Sequence, residues 1–228
     1  MKSILLIAVI LFSGMLAKAQ DIFFPTKEGT VLEYKTYDKK DKLTGTVRYT
    51  ITNIKSEADD MDITYLIETT DAKDKPSFRH EITINKKGDK LYVDMRKFLD
   101  KAILQKGGKV PDNIVMTGNE MEIPSNLKAG DVLPDSEFEM SFKIAFINIK
   151  MGASVTNRIV ESFETIAVQA GNFDAYKLTS SVLANTMGIK SRSTSAEWLV
   201  EGIGMVRSDT YDKKGELDSY IELVSIKK

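Results

Sequence analysis

One histidine, no cysteine and a scatter of neighbouring carboxylates are the reactive side chains that this chain offers. His80 shares its alternation phase with Phe78, Ile82 and Ile84, so it reads as a strand histidine turned to the inner face. A nucleophilic triad would need a serine poised beside it and an orienting acid, yet no G-x-S-x-G elbow occurs. Zinc would need further imidazoles or thiolates. Asp59-Asp60, Glu120 with Glu122, and Glu137 with Glu139 are close enough in sequence to suggest paired acids. Glycoside hydrolysis needs two such groups held ~5–10 Å apart across a cleft, whereas acids at i and i+2 of a strand normally form its wet face. The aspartate-bearing turns are each followed by lysines, a poor setting for calcium. Gly202-Ile203-Gly204 lacks the third glycine of a dinucleotide fingerprint and reads as a turn. No catalytic residue, cofactor or metal is therefore expected, and the chain reads as a non-enzyme.

Apolar surface is the remaining resource. Methionines and aromatics recur at inward positions, among them Met140, Met151, Phe138, Phe142, Phe146 and Trp198. Such side chains can fill a core or line an adaptable apolar trough. If a trough exists, Phe142, Phe146 and Trp198 are the residues expected to line it.

The elements that must carry these side chains are strands. Period-two alternation runs through Val47–Ile51, Met61–Glu68, Ser77–Asn85 and Lys90–Met95, with one buried and one wet face. Turn chemistry separates them, as at Asp71–Pro76, Asn85–Asp89 and Ala170-Gly171-Asn172. Thr36–Lys40 and Thr210–Lys214 repeat the same word, T-Y-D-K-K, which two hairpins built from similar parts would explain. Glu137–Met151 reads as one long strand whose phase flips at Phe146-Ile147, and a β-bulge is expected there. Met95–Gln105 is the one helical candidate, stopped by Gly107-Gly108, and the only obvious lid. Weak breaks fall at 107–113 and Pro124–Pro134. The fold expected is all-β: a strongly curved antiparallel sheet or incomplete barrel with one short helix, in a single domain over residues 20–228.

The beginning of the sequence supplies an address. Lys2, the apolar run Ile4–Phe12 and Ala17-Lys18-Ala19 have the build of a secretory signal peptide cleaved near Ala19-Gln20. The mature chain is then expected in the periplasm or outside the cell. Without cysteine it has neither disulfides nor a lipid-accepting thiol after the leader. The 32 basic and 33 acidic residues are interspersed, which argues against nucleic acid as a partner. No later segment approaches the ~20 apolar residues of a membrane-spanning helix.

Two segments carry a family likeness. Ala170-Gly171-Asn172-Phe173-Asp174-Ala175-Tyr176-Lys177-Leu178 is followed by Trp198-Leu199-Val200-Glu201-Gly202-Ile203-Gly204-Met205-Val206. Together they resemble the TapB-like secreted proteins of unknown function found in Bacteroidetes-type bacteria. The likeness lies in the C-terminal third, with Gln169 and Glu201 standing where that family often has proline. It implies an envelope-associated β domain shaped like the open half-barrels of lipoprotein carriers, and brings no catalytic residues with it. The function expected is binding of a lipid or other apolar molecule, or of an envelope protein. A structural or assembly factor acting through its surface is the alternative.

Overall fold

The computed structural model describes residues 22–97, 114–144 and 147–228, and of Ile144 its backbone alone. The leader, its cleavage point, Phe146 and all of Met95–Gln105 beyond Lys97 lie outside the described residues; at the start of that segment, Arg96 and Lys97 are helical.

Alternation produces strands almost everywhere else. In chain order they are β1 (Val31–Asp38), β2 (Leu43–Glu57), β3 (Asp60–Asp71), β4 (Pro76–Lys87), β5 (Lys90–Val93), β6 (Val115–Gly118) and β7 (Met121–Pro124). There follow β8 (Val132–Leu133), β9 (Ser136–Ile144), β10 (Ile147–Val168), β11 (Gly171–Thr186), β12 (Ile189–Val200), β13 (Gly204–Tyr211) and β14 (Leu217–Lys227). All 14 belong to one antiparallel sheet, ordered β6-β9-β10-β11-β12-β13-β14-β1-β2-β3-β4-β5-β7, with β8 paired to β10. The sheet is not closed into a barrel, yet its edge strands β6 and β7 are consecutive in sequence, with only Asn119 and Glu120 between them. Curvature brings the two edges close: Arg158 of β10 donates from Nη1 to Glu122 O of β7 at 3.1 Å and to Pro134 O at 2.7 Å.

The long strand expected over Glu137–Met151 is instead a hairpin. β9 and β10 pair antiparallel, with Ile147 opposite Ile144, Ile149 opposite Phe142 and Met151 opposite Met140. Opposed residues share a face, so a two-residue reversal flips the alternation phase just as a one-residue bulge does. The phase flip in the sequence therefore reflects the change of direction from β9 to β10.

The repeated T-Y-D-K-K word does encode two hairpins of one build. Asp38 Oδ1 accepts the Lys40 and Lys42 N–H groups at 2.8 and 3.1 Å, and Asp212 Oδ1 accepts those of Lys214 and Glu216 at 2.8 and 3.1 Å. Asp71 does the same for Lys73 and Lys75 at 2.8 and 3.0 Å. The fourth residue of each loop, Asp41, Asp74 or Gly215, has positive φ, as the αL position of such a hairpin requires.

Among the described residues, apolar side chains form the core in three buried clusters, one of which joins Ala175, Ala196 and Trp198 to Leu32, Tyr34, Val206 and Leu223. Ile51, Ile63, Tyr65, Ile67, Ile82, Ile84 and Leu91 make one buried cluster. The chain itself covers the core: Ile22 and Phe23 are buried, and Ile22 O accepts the Gly202 N–H at 2.8 Å. Gly202 and Gly204 both have positive φ. A Cβ on Gly204 would sit 3.0 Å from Phe23 O, so the G-x-G is a turn that admits the N-terminal strap. Leu127 and Leu133 enter a further cluster with Phe23, Val160, Leu178 and Leu199, so Pro124–Pro134 packs into the core.

Candidate functional site

Hydroxyl-bearing residues on β10, β11 and β12 occupy the face opposite Leu178 and Leu199. Thr156, Ser181 and Thr194 are mutually opposed across these strands, and β-branched or small polar side chains suit a wet strand face. The chain shapes that face into a trough. Its main depression, about 710 Å³, is lined by Ser154, Thr156, Ser181, Arg192 and Thr194, with Asp212 and Lys213 of the last hairpin loop as a wall. A second depression of about 450 Å³ adjoins it through Ser154 and Leu183. A third, of about 420 Å³, adjoins it through Asn157, Ser181 and Thr194 and runs on to Lys177 and Tyr211.

Beyond Lys177 the trough meets a dense polar cluster around Trp198. Lys177, Trp198, Arg207 and Glu222 oppose one another in turn across β11, β12, β13 and β14. The Lys177 ammonium lies 5.5 Å from the Trp198 ring centre, and the indole N–H donates to Glu164 Oε1 at 2.8 Å. That bond, joined by one from Ser162, holds the Glu164 carboxyl below the usual range. Arg207 Nε donates to Asp209 Oδ1 at 2.7 Å, and its Nη1 lies 3.7 Å from Glu222 Oε2. Its guanidinium sits 4.6 Å from the Tyr220 ring centre, and Tyr220 stacks on Tyr37. Gln169, from the turn between β10 and β11, caps the group by donating to Glu222 at 2.6 Å and to Tyr37 Oη at 2.9 Å. β10 and β14 are separated in the sheet by three strands, so this contact exists only because the hairpin tip curls across them.

Asp209 and Glu222 both face one guanidinium, that of Arg207. Tyr220 is pushed up to about 12, first by burial and then by Asp41, and Tyr211 is also raised, so both phenols keep their protons at neutral pH. Glu197 is the acid whose pKa burial raises, with Arg158 pulling the other way. It lies opposite Leu178, on the core side and away from the trough. Among the described residues no cluster of three or more His, Cys, Asp or Glu could hold a metal ion.

The residues expected to line a trough divide between the two faces. Phe142 opposes Ile149, and alternation through Met151, Ala153 and Val155 to Val182 and Ser193 leads to Leu199, not Trp198. Phe142 therefore shares a face with Leu199 and is buried, while Trp198 lies on the other face, buried in a cluster with Ala175, Ala196 and Tyr34. Phe146 lies outside the described residues. His80, half-buried, stands opposite Ile67 and beside Phe78. Arg158, Arg207 and the hydroxyl face were not singled out from the sequence. The runs Thr179-Ser180-Ser181 and Ser193-Thr194-Ser195 were the available signal for the hydroxyl face.

A family model described as DUF3108-like matches residues 27–223, well beyond the C-terminal third. No curated protein sequence matches the chain. Among solved structures, it is similar to a candidate exported protein with a YmcC-like fold from Bacteroides fragilis. That match has a TM-score of 0.73 at 23% identity and covers 91% of this chain and all of the other. It is also similar to a candidate lipoprotein from Parabacteroides distasonis, with a TM-score of 0.74 at 20% identity, covering 91% of this chain and 99% of the other.

Proposed function

As the chain belongs to the DUF3108-like family, we propose for it a non-enzymatic binding role in the bacterial envelope, after export and loss of its leader near Ala19-Gln20. The trough over β10–β12 takes an extended segment of an envelope protein, with Trp198 and its polar cluster as the end wall. The observation that carries this reading is the row of three depressions that share lining residues, Ser154 and Leu183 between two of them and Asn157, Ser181 and Thr194 between the next, rich in hydroxyl and amide groups. Such groups can satisfy a peptide backbone laid along a sheet. The similar structures, described as a candidate exported protein and a candidate lipoprotein, support the location.

The rival occupant, a lipid, has less support. The apolar face is taken up by Ile22, Phe23, Leu127 and Leu133 of the chain itself, so Phe142 contributes to packing.

A photo-crosslinking residue placed at Ser181 should capture one dominant envelope protein in cells. Thr194→Trp, which fills the trough, should abolish the capture without altering the fold. Undiminished capture by Thr194→Trp would overturn the reading, as would stoichiometric lipid in an organic extract of the purified protein.

A further inference from the structure

We propose that the β11–β12 turn and the described strand ends beside it dock on an anionic phospholipid surface. That turn is Met187-Gly188, with φ of 53° and 86°. Positive φ at both central residues is the type I′ geometry, which Asn, Asp and Gly fill without strain. Here the first position is a methionine, held in the left-handed region and 62% exposed, and Ile189 beside it is 77% exposed. An apolar side chain kept in a strained conformation and turned to solvent points to a role outside the fold.

The neighbouring strand ends present the same chemistry. The Met187 N–H donates to Lys150 O at 2.9 Å, placing this turn against the start of β10, where Ile147 is 62% exposed. Val115 of β6, opposite Ser141, is 57% exposed. Lys143, Lys150, Lys190 and Arg192 are exposed around these side chains, and Glu139 is paired to Lys150 at 3.4 Å. A few projecting aliphatic side chains ringed by cations suit insertion between anionic headgroups. They do not form the broad surface of about 800 Å² that a stable protein partner covers. The turn's backbone is already served within the hairpin, since Asn185 Oδ1 accepts the Gly188 N–H at 3.1 Å. Its tip can therefore enter a less polar layer without exposing an unmet donor there. This goes beyond the trough reading and stands whether or not that reading does.

The test is co-sedimentation of the purified protein with vesicles of phosphatidylglycerol and phosphatidylethanolamine, against vesicles of phosphatidylcholine alone. The intact protein should bind the anionic vesicles and not the neutral ones, with binding falling between about 0.1 and 0.5 M salt as screening tightens. Met187→Asn with Ile189→Thr should cut binding by roughly tenfold or more. Its Tm should be unchanged or higher, because Asn relieves the turn. Lys143→Glu with Lys190→Glu should weaken binding comparably. No binding by the intact protein, equal binding to both vesicle types, or undiminished binding by the Met187→Asn, Ile189→Thr variant would each overturn the proposal.

Discussion

Replacing Arg158 by methionine isolates the contact that ties β10 to β7. Arg158 is 3% exposed, and its guanidinium donates to two carbonyls, Glu122 O and Pro134 O. Methionine fills much of the space of the arginine stem, so the loss falls mainly on polar terms. Each hydrogen bond from a charged donor contributes ~1.5–3 kcal/mol. Two carbonyls also lose a donor, and Glu197 loses the opposing charge of Arg158. Removing one partner from a buried charged arrangement typically costs ~3–5 kcal/mol, and that is the expected destabilisation here. In a chain of this size each kcal/mol moves Tm by about 2–4 °C, so Tm should fall by roughly 6–20 °C. Calorimetry at neutral pH gives the value, and a double-mutant cycle with Glu197→Gln measures the share carried by that carboxyl. A fall of less than about 3 °C would refute the claim that this guanidinium holds the two sheet edges together.

Two further outcomes concern titration. Burial raises the Glu197 pKa, so the folded chain binds this proton more tightly than the unfolded one. Its contribution to stability is complete below the unfolded value of ~4.3 and is lost as pH rises through the folded value. Glu197→Gln should therefore melt above the parent at pH 8, with the gap narrowing toward about pH 4; a gap independent of pH would contradict this. The loop aspartates behave in the opposite sense. Two backbone N–H groups lower the pKa of each of Asp38, Asp71 and Asp212, so their stabilisation holds above ~3.9 and fades as pH falls through the lowered value. Asp71→Ala should melt below the parent at pH 7 and merge with it at about pH 2; thermal unfolding by circular dichroism at both pH values checks it.

The sequence revealed more of the strands than of their partners. Ile63, Tyr65 and Ile67 alternate in the sequence and are buried in the structure, because one strand's alternation is enough to define its inner face. The Asp-Lys loops were equally visible, since turn chemistry is local. The β9–β10 reversal was not, because bulge and two-residue turn leave the same phase signature. Contacts such as Trp198 to Glu164 and Gln169 to Glu222 arise from curvature of the whole sheet, and nothing near either residue encodes it. Trp198 was picked out as an aromatic at an inward position. Its setting of Lys177 below and Arg207 alongside depended on the register of three strands.

The pairing of β14 with β1 sets an order of events during folding. Val31 opposes Lys227 and Asp38 opposes Ser219, deep within the sheet and between two groups of strands. Contacts so distant in sequence form slowly, because a very long loop must first close. Until β14 takes its place, β1–β5 and β9–β13 can form only as separate ribbons, each with an unmatched flank toward the middle. During that interval the two halves of the chain are open to wrong partners along those flanks.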